Sequence, residues 1–216
     1  MQKVRIDIVS DVMCPWCAIG FYSLSMALEA MADKVQADIH WQPFELNPSL
    51  SMQGENMRAH LIEKYGMSVA ESDENRAMIT ERGAAVGFAF HFSDDMNMWN
   101  TFNAHQLLHW AGENNQGLQT ELKKALFVAH FQQHKNVSDA AVLLELVAKV
   151  GLDKEEARAV LAEQRYALAV RAQQQQWQES GIHSVPAFIF NQQYLISGGQ
   201  PPEAFIEAIA QIISNS

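Results

Sequence analysis

The chain has 216 residues, 48% of them hydrophobic, with a formal net charge of −10 and a pI near 5.2. That is enough chain for one large domain or two small ones with a sizeable core, and the acidity argues against nucleic acid or an anionic membrane as a partner. No apolar run approaches the ~18 residues of a membrane span, and the N-terminus alternates like a strand without the apolar stretch of a secretory signal.

The first segment reads β-α-β. Val4, Ile6 and Ile8 alternate with Arg5 and Asp7. A helix from Pro15 to Met31 then places Leu24, Ala27, Leu28 and Met31 on one face. Val35, Ala37, Ile39 and Trp41 alternate with polar residues in a second period-two strand. Two strands joined through a helix favour a parallel pair.

Between strand and helix stands Asp11-Val12-Met13-Cys14-Pro15-Trp16-Cys17, which holds both cysteines of the chain. Cys14 falls at the expected N-cap, and Pro15 at the first helical position, where its missing N–H costs nothing. Cys17 follows one turn later, close enough for a small disulfide ring. Unpaired N–H groups and the helix dipole at a helix start favour the thiolate. The spacing therefore offers one attacking and one resolving thiol. Chance neighbours are the bland alternative, but a strand-then-helix setting is the one a redox pair occupies. A structural zinc site needs about four ligands. With a single Cys-x-x-Cys, histidines would have to complete it, and the helically spaced His105 and His109 come nearest to such a pair. No metal is expected.

From 45 to 181 the pattern predicts helices and no strand. Helices are expected near 55–65, from Ser68, whose Glu71 makes a capping box, toward Val86, and over 101–113, 119–133 and 138–150. Asp153 with Glu156 reads as a second capping box, and a last helix spans 165–180 with Gln173 to Gln176 as a solvated face. After Gly181 come two short apolar runs, 186–190 and 194–197, joined by an Asn191-Gln192-Gln193 turn, and then a closing helix with Phe205, Ile209 and Ile212 on its apolar face. The sum is β-α-β, a helical block, then β-β-α. The outer parts, 1–44 and 182–216, make one α/β domain with a four-stranded mixed sheet, and 45–181 is a helical insertion. Val185-Pro186 opens the first of the late strands, a position that suits proline and can hold a cis bond.

The chain resembles the DsbA-family thiol oxidoreductases, in particular their FrnE-like cytoplasmic branch. The residues that carry the likeness are Asp11 to Cys17 with Ile19-Gly20, Phe44-Glu45-Leu46-Asn47-Pro48, the run from Asn100 to His109, Val185-Pro186-Ala187-Phe188 and Gly198-Gly199-Gln200-Pro201. The resemblance implies a thioredoxin-like fold with a helical insertion, Cys14 as nucleophile, Cys17 as resolving thiol and Pro186 as a cis proline facing them. It further implies that Val185 offers its backbone to a substrate peptide like an added strand. Ser184 stands where the family usually has glycine, and Asn103 where aspartate is common. The further cysteine pair that some relatives carry near the C-terminus has no counterpart here.

The expected chemistry is disulfide reduction or isomerisation on proteins or peptides, with no cofactor beyond the cysteine pair. Electrons would come from a thiol donor such as glutathione or a thioredoxin-type system. Pro15 and Trp16 carry no ionisable group, so Cys14 is expected to be acidic, within the roughly 3.5 to 7 that such motifs span. Pro15, Trp16 and His183 join Val185 and Pro186 as candidate substrate contacts. His105 and His109 are read as core or surface residues, since no partner for them is evident. A glutathione-dependent isomerase or transferase of related fold and a polypeptide-binding chaperone are the competing readings. The intact pair speaks against the first, whose members typically carry serine where Cys14 stands. In a cytoplasmic setting a surface disulfide is kept reduced, which favours reduction over net oxidation.

Overall fold

A computed structural model describes residues 1–214; residues 215 and 216, the end of the expected segment 182–216, lie outside the described residues. Strand β1 (Gln2–Ser10) leads through α1 (Pro15–Ala30) to β2 (Val35–Pro43), and β5 (Ala187–Phe190) and β6 (Tyr194–Ser197) complete a four-stranded sheet in the order β2-β1-β5-β6. The first pair is parallel, with Ile6 opposite Ile39; the other two are antiparallel. The β5–β6 hairpin turns through Asn191 and Gln192, both at positive φ, which matches the twist of the strands it joins. Helix α9 (Pro202–Ser214) packs on α1, burying Phe205, Ile209 and Ile212.

Central strands covered on both faces bury both side-chain sets. Val4, Ile6 and Ile8 enter the main core, while Val9 joins a smaller cluster with Ile182, Ala187 and Ile189, against which Trp177 packs. Asp7, read as part of a polar face, is buried, and its carboxylate is satisfied by Arg5 and Gln42.

Residues between the two halves form a short strand β3 (Glu55–Asn56), α2 (Met57–Tyr65), α3 (Val69–Ala85), a short strand β4 (Asn97–Met98), α4 (Phe102–Asn114), α5 (Gln116–Phe131), α6 (Ala140–Lys149), α7 (Lys154–Glu163) and α8 (Ala167–Glu179). The β3–β4 pair corrects the expectation of an all-helical block. Two-residue strands are too short to leave a period-two signal, and only the meeting of two distant loops creates them. Ser68 and Glu71 do form the capping box. At α7 the box is half made: Asp153 caps, but Glu156 turns to Arg165. Helix α5 starts three residues before the expected 119, because Asn115 ends α4 and also caps α5 by accepting from Leu118. The glutamine row is only partly solvated, since Gln174 is buried against Glu45 and Gln173 binds His109.

The insertion has no core of its own. Phe21 of α1 meets Trp41 of β2 at 5.0 Å between ring centroids, Trp41 meets Phe127 of α5, and Phe131 connects to Phe88 and Phe90. Aromatic pairs at such distances add to the area they bury. One apolar cluster thus runs from α1 through the sheet into α3, α5 and α6.

Candidate active site

The loop from Asp11 to Met13 carries the chain from β1 into α1. Cys14 is the N-cap residue in extended conformation, and Pro15 takes the first helical position. The N–H groups of Cys17 and Ala18 already bond to the Cys14 carbonyl, so no side-chain cap is needed. Gly20 lets α1 lie close to the sheet: a Cβ there would stand 2.9 Å from Phe188. This proximity brings the helix start beside the loop before β5, where the Val185–Pro186 peptide bond is cis. The Cys14 thiol points to the Val185 carbonyl at 3.7 Å.

Both cysteines are free thiols and are nearly inaccessible, Cys14 at 4% exposure and Cys17 at 0%. They do not share the same surroundings. Cys14, Pro15, Trp16 and Val185 line a cavity of about 310 Å³. Its far wall comes from α2 and α3 and includes Met57, Leu61, Ile79, Lys64, Arg76 and His60. No carboxylate side chain lies in this lining, in a chain whose net charge is −10. Lys64 donates to Asn47 and the Leu46 carbonyl, and Arg76 pairs with Asp94 at the rim.

Behind the helix, Cys17 meets Ser10, the Asp11 backbone and Lys123 of α5. The buried Asp11 carboxylate accepts from the Leu46 N–H at 2.8 Å and faces His105 Nε2 at 3.3 Å. Burial alone would raise Asp11, but the His105 contact, the Leu46 N–H and Lys123 hold it below the usual carboxylate range. Lys123 lies over the rings of Trp41 and Phe127, both at 5.1 Å, and burial pulls its ammonium down to about 8.

Two adjacent buried thiols cannot both ionise, so the pair separates into one acidic and one weakly acidic sulfur. Cys14 is pushed well above the ordinary thiol value, by its hydrogen bond to Cys17 and then by burial. Cys17 is lowered. Burial opposes this, but the Cys14 contact, Lys123, Ser10 and the Asp11 backbone prevail. In this dithiol geometry Lys123, Ser10 and the Asp11 backbone, groups that stabilise a thiolate, converge one turn further into the helix.

Of the residues singled out from sequence, Cys14, Cys17, Pro15, Trp16, Val185 and Pro186 come together. His183 is exposed on the loop before β5 and is absent from the cavity lining. Nothing in the sequence marks Asp11, His105 and Lys123 as neighbours. His105 and its partner Asp11 lie 94 positions apart, beyond any local pattern. Lys123 left one usable trace: it falls on the stripe of Gln119, Leu122, Leu126, Phe127 and His130 that α5 buries. Among the described residues, no three His, Cys, Asp or Glu side chains converge as metal ligands do.

A thioredoxin-like sheet with a dithiol at the start of α1 and a cis proline opposite defines the thioredoxin-type dithiol proteins. Residues 5–210 match the DSBA-like thioredoxin domain, and the chain belongs to that family. It is similar to the probable DsbA oxidoreductase SCO1869 from Streptomyces coelicolor (34% identity, TM-score 0.90, covering 99% of this chain and 91% of that one). It is also 27% identical to the uncharacterized protein YwbO of Bacillus subtilis, over 97% of each chain. The fold extends to the cytosolic disulfide reductase DsbM of Pseudomonas aeruginosa (16% identity, TM-score 0.63, covering 98% of this chain and all of that one), which has also been solved with GSH.

Proposed function

We propose that this protein is a cytoplasmic, FrnE-like dithiol oxidoreductase that reduces or isomerises disulfides of peptides and proteins through a mixed disulfide on Cys14. The observation that carries this reading is the division of the pair. Cys14 borders the cavity beside the Val185 backbone, whereas Cys17 is sealed behind it, next to groups that hold a thiolate.

The steps follow from that division. Cys14 gives its proton to Cys17 and attacks a substrate sulfur; the S–S bond breaks and one thiolate leaves with the electron pair. Cys17 then attacks Cys14, its proton goes to the second thiolate as that leaves, and the protein ends as the Cys14–Cys17 disulfide. Pro15, Trp16 and Val185 form the near wall against which a substrate strand lies, with the buried cis Pro186 next to Val185. His183 reaches such a substrate only where it extends beyond the cavity. A thiol donor, glutathione or a thioredoxin-type protein, returns the pair to the dithiol, with no other cofactor. Lys64 and Arg76 favour a donor or peptide with carboxylates, as in glutathione. The cytosolic relative DsbM supports a reducing compartment.

The test is insulin reduction with dithiothreitol or glutathione as donor. Wild type is expected to be active, Cys14→Ser inactive, and Cys17→Ser arrested as a trapped mixed disulfide. Absence of activity above background overturns the general-reductase reading. Glutathione turnover that survives Cys17→Ser replaces it with the isomerase reading.

A further inference from the structure

The loop 44–48 has two sides. Leu46 and Asn47 line the cavity beside Cys14. Phe44, Glu45 and Pro48 line a second concavity, an open groove of about 540 Å³ whose other wall is α8. Resting on the dithiol reading, we propose that this groove is a second subsite for polypeptide substrates. It holds, by its main chain, an extended segment that flanks the substrate cysteine, and Arg171 with the glutamine amides of α8 receives that backbone.

An arginine on a helix surface ordinarily samples many rotamers, and fixing it costs entropy. The Arg171 side chain is 46% exposed, yet three neighbours fix it. Its Nη1 donates to the Glu45 carboxylate and to Gln174 Oε1 at 2.9 Å, and its guanidinium lies over the Phe102 ring at 4.0 Å. Gln174 donates to the same Glu45 oxygen at 3.1 Å. The second Glu45 oxygen is buried and has no hydrogen-bond partner among the described residues. A buried carboxylate in such a pair adds little to stability compared with an apolar residue of similar volume. What it supplies is a guanidinium held at the groove wall, with Nε and Nη2 free of hydrogen-bond partners among the described residues. A fixed fork of N–H donors suits a carbonyl oxygen. Gln178 is exposed on the same wall, and its amide both donates and accepts, as a peptide bond does. Gln175 donates to Glu179 at 2.7 Å and keeps its carbonyl for a backbone N–H.

Position and charge choose the occupant. The groove wall runs straight into the thiol loop. Helix α8 ends at Glu179, the Ile182 N–H folds back onto the Trp177 carbonyl at 2.9 Å, and the exposed His183 and Ser184 lead to Val185, whose carbonyl faces Cys14. Phe44 and Val185 pack against the same small cluster of Val9, Ile182, Ala187 and Ile189. A strand laid along the Val185 backbone therefore continues past Phe44 and His183 toward Arg171. The far side of the thiol cavity is walled by α2 and α3, so a long chain leaves it along this near side. Glu45 and Arg171 cancel in charge, whereas the thiol cavity is cationic. The groove thus favours main chain over charged side chains.

A pair of uncharged disulfides tests the subsite, with glutathione as donor and the full chain as enzyme. The short one joins N-acetylcysteine amide to itself. The long one joins peptides that carry about six serine and alanine residues on either side of cysteine, a flank of roughly 20 Å when extended. The readout is the ratio of kcat/KM, long over short. Wild type is expected to favour the long substrate by about tenfold. Gln178→Trp, which fills the groove from an exposed position, should lower the ratio by about five- to tenfold, chiefly through KM. Arg171→Lys keeps a charge beside Glu45 but lacks the planar fork, and should lower it by about threefold. A ratio near one in wild type overturns the subsite, and so does a ratio that neither variant moves because both substrates lose equally or not at all. Wild type that turns over neither disulfide overturns the dithiol reading itself. If Gln178→Trp does not fold, the wild-type ratio and Arg171→Lys decide.

Discussion

Cys14 and Cys17 stand one helical turn apart and look into two unlike regions. On the cavity side, the walls are apolar with a cationic far end, and the thiol faces the Val185 backbone carbonyl. On the buried side, Ser10, the Asp11 backbone and the Lys123 ammonium meet the second sulfur, and the Asp11 carboxylate pairs with His105 within the same core. Under the function proposed above, the cavity side suits varied substrates because its lining is mostly apolar. The buried side is fixed in composition, because each charge is tolerable only while its partners remain. The difference is one of surroundings within one short motif: the fold turns one sulfur to the cavity and the other to the protein's own electrostatics.

The sharpest way to break the comparison is to remove each sulfur in turn. Cys14→Ser is expected to abolish disulfide exchange altogether, while Cys17→Ser still attacks and accumulates the adduct, seen as a mass increase on the protein. Equal behaviour of the two variants would mean that the regions do not differ in role.

Packing comes next. The roof of the cavity hangs on Gly83, where a Cβ would stand 2.4 Å from the Phe90 ring and 2.5 Å from the Phe88 carbonyl. Gly83→Ala is expected to cost about 1–3 kcal/mol, measured by urea unfolding, and to loosen α3 over Cys14 without changing the Cys17 side.

The buried side predicts a pH dependence. His130 is fully buried, both ring nitrogens lack a partner, and burial holds it down to about 3 against an ordinary 6.5. Between those values the unfolded chain binds the proton and the folded chain does not, so stability falls as pH falls through that window. The loss at pH 5 relative to pH 7 should be about 2 kcal/mol, and His130→Phe should flatten it. Lys123 works at the other end. Its folded value of about 8 lies below the ordinary 10.5, so stability from this group rises as pH rises between them. Lys123→Met should remove that rise. It should also weaken the Cys17 thiolate by about one pK unit, a tenfold change, read from ultraviolet thiolate absorbance.

The smallest effect belongs to the cationic wall. Lys64→Glu is expected to raise KM for an anionic disulfide such as oxidised glutathione by about threefold at low salt, and less at high salt. An unchanged KM would remove charge from the account of the cavity.

The amino-acid sequence by itself determined the strand–helix–strand start, the hairpin and closing helix, and the placing of Cys14, Pro15 and Cys17 on the first turn of α1. Those features rest on local periodicity and capping, whose interactions span a few residues. It also carried enough motif for the family. What it did not determine is which neighbours the two thiols have. Asp11 meets His105, and Lys123 approaches Cys17, only because α4 and α5 pack on β2 and share one core with α1. The same packing puts α2 and α3 opposite Cys14 and closes the cavity. The charge preference of the pair followed those contacts. Electrostatics in a buried site depend on distance through space, and separation along the chain says little about it.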